Sequence, residues 1–245
     1  MLLTIDIGNT RIKCAVFENN MILYQDVFLK EEALKKIEKI FNDFPKISNS
    51  ISSSVGILDN DCFNLIKNNS DLMVVTPQTK LPFSNKYSTP LTLGIDRIVL
   101  MAGAAIQFPN KNCLIIDAGT CITYDFIDDE NNYFGGAISP GINLRYNSLH
   151  NYTAKLPLLK KELPGFFIGN STNESIHSGI INGVIHEIEG FASQYFHKYT
   201  DLTIILTGGD ADFLAKRLKS TIFANSNFLI ESLSLLFTYV QTEND

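Results

Sequence analysis

The feature that most constrains the fold is a pattern that occurs twice along the chain. Near the start, three short apolar segments at 2–7, 12–17 and 22–28 are separated by GNT and ENN. From residue 113 onward, CLIID, CITYDFID and YFGGAI are separated by AGT and DENN. Both runs predict three strands joined by tight turns, with an Asp-x-Gly motif at the end of the first strand.

Asp6 and Asp117 hold the same place in the two patterns, 111 positions apart. Chance easily produces one pair of Asp-x-Gly motifs, but a pair that lies inside two matching strand-and-turn runs needs another explanation. The spacing is too long for a solenoid repeat. An internal duplication explains both observations and predicts an α/β protein of two similar lobes, at 1–110 and 111–245.

The remaining segments predict a mixture of helices and strands. Apolar spacing predicts helices at 31–41, 61–67, 96–107, 171–198, 211–219 and 229–240, and strands near 50–55, 72–76 and 203–207. Residues 77–94 are rich in Pro, Ser, Thr and Asn and predict a loop.

Composition and motif content exclude several classes of protein. The chain is 45% hydrophobic and 19% charged, which supplies a packed core, and its net charge of −6 gives no global attraction to nucleic acid or anionic membranes. No apolar run approaches the length of a membrane span. Four scattered cysteines are typical of a reducing cytoplasm. The P-loop and Rossmann glycine motifs are missing, which argues against those nucleotide-binding classes.

The DIGNT segment at 6–10 has the residue types of a phosphate-binding turn. Glycine lets backbone N–H groups face a phosphate, Lys13 adds positive charge, and Asp6 could hold Mg²⁺. For one copy, a plain hairpin turn explains the same residues equally well. The second copy, DAGT at 117–120, favours phosphate binding, because two such loops facing across a cleft would clamp a polyphosphate.

Two further motifs carry open interpretations. In GIDR at 94–97, Asp96 could cap the following helix or act as a general base beside the anion-binding Arg97. In TGGD at 207–210, the glycines would let a flat ligand such as an adenine lie against the backbone. On its own, that motif is better explained as an ordinary strand-to-helix connection.

Six motifs in order resemble those of the type III pantothenate kinases. They are DIGNTRIK (6–13), YSTPLTLGIDR (87–97), DAGTCITYD (117–125), GGAISPG (135–141), a helix that begins at Thr172, and TGGDA (207–211). The family belongs to the superfamily of acetate and sugar kinases, heat-shock-70 proteins and actin. The resemblance implies a duplicated ribonuclease-H-like fold and a homodimer. It also implies ATP-dependent phosphorylation of pantothenate to 4′-phosphopantothenate, the first step of coenzyme A biosynthesis.

The resemblance also implies roles for particular residues. ATP, with Mg²⁺, would be bound by Asp6, Ile7, Gly8, Asn9, Thr10, Arg11, Ile12, Lys13 and Thr120. Pantothenate would be bound by Tyr87, Gly94, Ile95, Asp96, Arg97 and Thr172, the last from across the dimer interface. Asp96 would accept the proton of the substrate hydroxyl, and Asp117 would hold K⁺ or NH₄⁺.

Two residues depart from the family pattern, and neither has an implied catalytic role. Cys121 stands where Ala is usual, and Ser232 stands where Gly is common. Because Cys121 directly follows Thr120, we expect a bulky thiol adduct there to disturb the phosphate-binding turn, unless the side chain points into the core.

Two other functions remain open at this point. A small sugar or acetate kinase would share the fold, although Arg97 suits an acceptor that carries a carboxylate. A non-catalytic regulator would also keep the fold, but the retained Asp6, Asp96 and Asp117 favour catalysis.

The segment 171–198 predicts the dimer interface. Its apolar positions span more width than one core-facing stripe requires. They are Ile180, Ile181, Val184, Ile185 and Ile188.

Overall fold

The computed structural model describes residues 1–54, 59–219 and 222–243. Their strands are β1 (Leu2–Ile7), β2 (Arg11–Glu18), β3 (Met21–Leu29), β4 (Asn49–Ser54), β5 (Asp71–Val74), β6 (Ser84–Asn85), β7 (Asn112–Ala118), β8 (Cys121–Ile127), β9 (Asn132–Pro140), β10 (Leu202–Thr207) and β11 (Phe223–Ala224). Their α-helices are α1 (Ala33–Asp43), α2 (Asn60–Asn69), α3 (Ile95–Gln107), α4 (Ile142–Asn151), α5 (Thr172–His177), α6 (Gly183–Lys198), α7 (Ala211–Ala215) and α8 (Phe228–Thr242). A π-helical segment, Ser178–Asn182, joins α5 to α6.

The chain divides into two units. The first comprises Met1–Pro109, Asn131–Tyr133 and Asn227–Asp245, and the second comprises Asn110–Glu130 and Phe134–Ser226. This division differs from the predicted boundaries, 1–110 and 111–245, chiefly in its last helix. Helix α8 groups with the first unit because it packs along α3 and against β1.

The first unit has a five-stranded sheet in the order β3-β2-β1-β4-β5. Strands β1 to β3 form the predicted antiparallel meander, and β4 and β5 run parallel to β1 after helical connections. Leu3, Ile5 and Ile7 on β1 are fully buried, and Ile37 of α1 joins the same core. The short strand β6 pairs with the first residues of β9, inside this unit.

A close approach of α3 to α8 explains one departure from the family pattern. Ser232 is fully buried and faces Gly103, where an added Cβ would lie 1.9 Å from the serine Oγ. The hydroxyl donates a hydrogen bond to Phe228 O at 2.6 Å. Glycine at position 103 therefore makes room for the larger residue at position 232, and the buried hydroxyl is satisfied.

The second unit repeats the arrangement, with strand order β11-β10-β7-β8-β9. Strands β7 and β8 are antiparallel, and β10 runs parallel to β7. Alternate residues of the three strands face a helical layer, as the period of a strand requires. The buried members of this core on the sheet side are Leu114, Ile116, Ile122, Tyr124, Phe126, Ile204 and Leu206.

The apolar residues of 171–198 belong to this same core. Ile180, Ile181, Val184 and Ile188 are buried, and Ile185 packs against the cluster. A π-helical turn shifts the phase of the helix, so more positions reach the sheet than a regular helix would allow. The apolar width is thereby explained within one chain. A dimer interface on this segment stays a prediction that rests on the family resemblance.

Several expectations about elements need adjustment. The segment predicted as one helix at 171–198 is two helices joined by the π-helical segment, and α7 ends at Ala215 rather than near 219. Helix α4 and the two-residue strands β6 and β11 were not predicted. No described helix is long and apolar enough to cross a membrane.

Candidate active site

In the first unit, Asp6 lies in a row of polar side chains near the end of β1. It pairs in register with Lys13 on β2 and with Ser53 on β4. Side chains in register point to the same face of a sheet, so these three groups are neighbours. Ser53 Oγ donates a hydrogen bond to Asp6 Oδ1 at 2.7 Å.

The charge of Asp96 acts on the Asp6 carboxylate. The pKa of Asp6 is raised to about 6, mainly by burial. The charge of Asp96 contributes to this increase, whereas the Ser53 hydrogen bond and the Lys13 charge oppose it. The Asp96 charge disfavours ionisation of Asp6, so a nearby cation would stabilise the Asp6 carboxylate.

The turn after β1 exposes its tip and buries its ends. Gly8 N–H donates to Arg11 O at 3.0 Å, and Asn9 and Thr10 are exposed with Arg11. Ile7 and Ile12 are fully buried. Of the predicted nucleotide-binding residues, these two can therefore contribute backbone atoms only.

Gly94 is the N-cap of α3, and Asp96 is the second residue of that helix. The interpretation of Asp96 as the N-cap is wrong. Its Oδ1 instead accepts a hydrogen bond from Arg97 N at 2.8 Å. A Cβ at position 94 would lie 2.4 Å from that oxygen, so glycine leaves the space into which the carboxylate folds.

Arg97 and Tyr87 are also brought together, as predicted. The Arg97 guanidinium lies over the Tyr87 ring, 5.5 Å from its centroid. Tyr87 in turn stacks on Tyr133, with 6.1 Å between the ring centroids. Arg97 is 6% exposed, and Ile95, two residues before it, is half-buried. The aromatic pair thus fixes a buried guanidinium one residue after Asp96.

In the second unit, Asp117 occupies the place that Asp6 has in the first. It pairs in register with Thr123 on β8 and Thr207 on β10. The hydroxyls of both threonines are buried and find no hydrogen-bond partner among the described residues. Gly208 has φ of +93° and passes so close that a Cβ there would lie 2.3 Å from Asp117 Oδ1.

The turn after β7 is shorter than its counterpart. Gly119 N–H donates to Cys121 O at 2.9 Å, and both Thr120 and Cys121 are exposed. Cys121 therefore does not point into the core. The backbone of Gly141 lies against this turn, with Gly141 N–H donating to Thr120 O at 3.0 Å.

The TGGD motif at 207–210 contacts the DAGT motif at 117–120. Asp210 N–H donates to Ala118 O at 2.9 Å, and the buried Asp210 carboxylate forms an ion pair with Lys161. Among the described residues, no atom lies within 4 Å of a Cβ built at Gly209, so this glycine borders open space.

Thr172 is the first residue of α5 and is exposed, after its N-cap Ser171. Nothing within the second unit ties it to the turn at Thr120 among the contacts of the described residues. Those residues also contain no group of three or more His, Cys, Asp or Glu side chains arranged for a metal. Hydroxyls, backbone or nucleotide oxygens would have to complete any cation site.

Each acid and its two register partners form a row of three side chains, the Asp6 row in the first unit and the Asp117 row in the second. Sequence reasoning missed three members of these rows, which are Ser53, Thr123 and Thr207. Thr123 and Thr207 lie within quoted motifs, and Ser53 lies in a predicted strand. Strand register, which the linear motif does not contain, is what places them beside Asp6 or Asp117.

The duplicated sheet, each copy with an acid near the end of its first strand, defines the kinase and ATPase fold of acetate and sugar kinases, heat-shock-70 proteins and actin. The activator of 2-hydroxyisocaproyl-CoA dehydratase from Clostridium difficile has this fold, with a TM-score of 0.56, 11% identity and coverage of 99% of this chain and 96% of that chain. A Campylobacter jejuni protein, described as a candidate transcriptional activator of the Baf family, gives a TM-score of 0.62, 20% identity and coverage of 99% and 98%. At these identities the likeness shows the fold alone.

Sequence comparison is more specific. The profile of the type III pantothenate kinases matches residues 2–194. A type III pantothenate kinase of Flavobacterium johnsoniae is 56% identical over 245 residues, which are 100% of both chains. The chain belongs to the type III pantothenate kinase family.

Proposed function

We propose that this protein transfers the γ-phosphoryl group of ATP to the primary hydroxyl of pantothenate, giving 4′-phosphopantothenate and ADP for coenzyme A biosynthesis. Family membership supports the reaction. The observation that supports the assignment of residues is that the charge of Asp96 acts on Asp6, and that the buried Arg97 directly follows Asp96. Phosphoryl transfer needs positioning and charge neutralisation more than covalent chemistry by the protein.

Asp96 is the proposed proton acceptor. The substrate oxygen forms a bond to the γ-phosphorus, the bond from that phosphorus to the β–γ bridging oxygen breaks, and ADP leaves. The hydroxyl proton passes to the Asp96 carboxylate. Asp96 lies in the first turn of α3, where the helix dipole favours a negative charge on the acceptor.

Arg97 and Tyr87 are the proposed anchors of pantothenate. The substrate carries a carboxylate, and a guanidinium pairs with a carboxylate through directional, charge-assisted hydrogen bonds. The Tyr87 ring already restricts the Arg97 side chain, which lowers the entropy lost on binding. Gly94 and Ile95 line the same helix start, and Thr172 is proposed to complete the site from the partner subunit of a homodimer.

The turn from Asp6 to Lys13, together with Thr120, is proposed to bind ATP. Backbone N–H groups and Lys13 would face the phosphates. Asp6 suits Mg²⁺ because its carboxylate, crowded by Asp96, gains from a nearby cation. Bound there, Mg²⁺ would neutralise charge on the phosphates.

Asp117 is proposed to hold K⁺ or NH₄⁺. The hydroxyls of Thr123 and Thr207, which have no partner in the part of the chain that the structure describes, fit this assignment, since their oxygens are neutral ligands beside one negative charge. A cytoplasmic location is proposed as well. It is supported by four free cysteines, of which three are buried.

The test is an ADP-release assay with Mg²⁺, K⁺ and ATP. Pantothenate, acetate, glucose and buffer alone are compared as acceptors. We expect ADP release to require pantothenate. Preference for acetate or glucose would favour the sugar or acetate kinase alternative, and release independent of any acceptor would contradict the proposal. Absence of turnover would favour a non-catalytic regulator. Ultracentrifugation of the same sample tests the dimer, which a fully active monomer would contradict.

A further inference from the structure

A carboxylate that the proposed reaction does not use lies at the centre of a side-chain cluster in the second unit. Glu187 on α6 accepts hydrogen bonds from β8, β9 and α4. Tyr124 Oη is 2.8 Å and Ser139 Oγ is 2.5 Å from Glu187 Oε1. Arg145 Nη2 is 2.5 Å from Oε2. Burial opposes ionisation of Glu187, but these hydrogen bonds outweigh it and lower its pKa.

The same cluster reaches the turn after β7. Arg145 Nε donates a hydrogen bond to Pro140 O at 2.8 Å, which holds the residue before Gly141. Gly141 N–H donates to Thr120 O, and a Cβ at Gly141 would lie 2.2 Å from Gly119 O. The two backbone segments are therefore in direct contact, so the position of one restricts the other.

The ion pair in this cluster is sheltered from water. The side chains of Arg145 and Glu187 are 21% and 24% exposed. Charge-assisted hydrogen bonds are shorter and more directional than neutral ones, and partial burial reduces their screening. The carboxylate can thus hold Arg145 in the single orientation that also satisfies the Pro140 carbonyl.

We propose that Glu187 is a positioning residue for nucleotide binding. Through Arg145 it holds the segment 139–141 in the place that shapes the turn at Gly119 and Thr120. The inference rests on the proposed function, because it takes this turn as part of the ATP site. Glu187 acts through Arg145 and not by contact with substrate.

Two variants cut the path at different points. Glu187→Gln keeps the size of the side chain and removes the charge opposite Arg145. Arg145→Lys keeps a positive charge and removes the Nε donor to Pro140. We expect each to weaken Mg-ATP binding, measured by calorimetry, by roughly 2- to 30-fold. The KM for pantothenate should stay unchanged. Because both substitutions act on one path, the double variant should bind Mg-ATP no more weakly than whichever single variant has the lower affinity.

Glu189→Gln is the matched control, since it removes the same charge from the same helix and leaves Arg145 paired. We expect its affinity for ATP to equal that of the wild type. Failure of the wild type to bind ATP would overturn the proposed function itself. If the wild type binds ATP and the folded variants bind it with the same affinity, only the positioning role is overturned, even if the melting temperatures of the variants fall. Additive losses in the double variant would overturn it as well.

Discussion

The two units place an acid near the end of their first strand and surround it with different groups. Asp6 lies between Lys13 and Ser53, and Ser53 already donates a hydrogen bond to it. Asp117 lies between Thr123 and Thr207, whose hydroxyls have no partner among the described residues. Each acid pairs in register with one residue of an antiparallel strand and one of a parallel strand, so the two rows differ in the side chains at those paired positions.

This difference shows how a duplicated sheet can support two kinds of chemistry. The duplication fixes where the acid lies, and the flanking strands decide what the acid can bind. A lysine beside Asp6 adds a group that attracts phosphate and lowers the carboxylate pKa. Two neutral hydroxyls beside Asp117 provide oxygen ligands without positive charge, which suits a cation. The predictions below change one row at a time.

The largest expected effect comes from Asp96, the acid that the first unit adds beside Asp6. Asp96→Asn keeps the shape of the side chain and removes proton acceptance, so kcat should fall by roughly 10²- to 10⁴-fold. The melting temperature should change by only a few degrees, because about 0.3–1 kcal/mol of helix-dipole interaction is lost. ADP release and thermal unfolding of the same preparation measure both quantities.

Asp61→Asn is the matched control for this variant. Asp61 is also an acid at the second position of its helix, α2. It should show the same small change in melting temperature and an unchanged kcat. A near-normal kcat for Asp96→Asn would remove Asp96 as the proton acceptor.

The second prediction concerns the stability of the first row. The pKa of Asp6 is about 6 in the folded protein against an ordinary 3.8, so the folded state holds the proton more tightly. Stability should therefore fall as pH rises from 4 through 6, by roughly 3 kcal/mol at full effect. Asp6→Asn should remove most of this dependence and raise the free energy of unfolding at pH 7. Denaturant unfolding at pH 4, 5, 6 and 7 tests this, and a variant less stable than wild type at pH 7 would contradict it.

The third prediction concerns the second row. Thr207→Val keeps the side-chain shape and removes a hydroxyl that has no hydrogen-bond partner among the described residues, so the fold should persist. We expect the K⁺ concentration that half-saturates the K⁺-induced rise in melting temperature to increase roughly 10-fold. Sodium should give no comparable rise in the wild type.

Ser52→Ala controls for loss of a buried hydroxyl. Ser52 is likewise buried without a partner among the described residues, but it pairs with Ile5 and lies outside both acid rows. Its K⁺ response should equal that of the wild type. An equal shift in the two variants would count against Thr207 as a ligand.

The smallest expected effect concerns the short turn of the second unit. Cys121 is the exposed member of four free cysteines, whereas burial raises the pKa of Cys14 and of Cys113 to about 12. A thiol reagent should modify Cys121 first and lower activity several-fold by crowding Thr120. Cys121→Ala should stay active and resist the reagent. Full activity after modification confirmed at Cys121 would contradict this expectation.

Periodicity predicted most of the sheets and helices because their apolar faces are regular. Helix α4 escaped prediction because it buries only Ile142 and Tyr146, too few for a recognisable stripe. The assignment of α8 to the first unit depends on its packing along α3 and against β1, which lie far from α8 in the sequence.

The candidate site was predictable only where one motif held all the residues. GIDR brought Asp96 and Arg97 together by chain connectivity. Ser53 entered the Asp6 row through strand register, and Glu187 reaches the turn at Thr120 through α4 and the end of β9. Linear spacing does not contain such contacts.

Anomalous diffraction from crystals grown with ADP, MnCl₂ and RbCl tests the difference between the two rows most directly. Manganese stands in for Mg²⁺, and rubidium stands in for K⁺. The proposed chemistry predicts a manganese peak beside Asp6 and a rubidium peak beside Asp117, within reach of the Thr123 and Thr207 hydroxyls. Rubidium beside Asp6, or no rubidium beside Asp117, would contradict it.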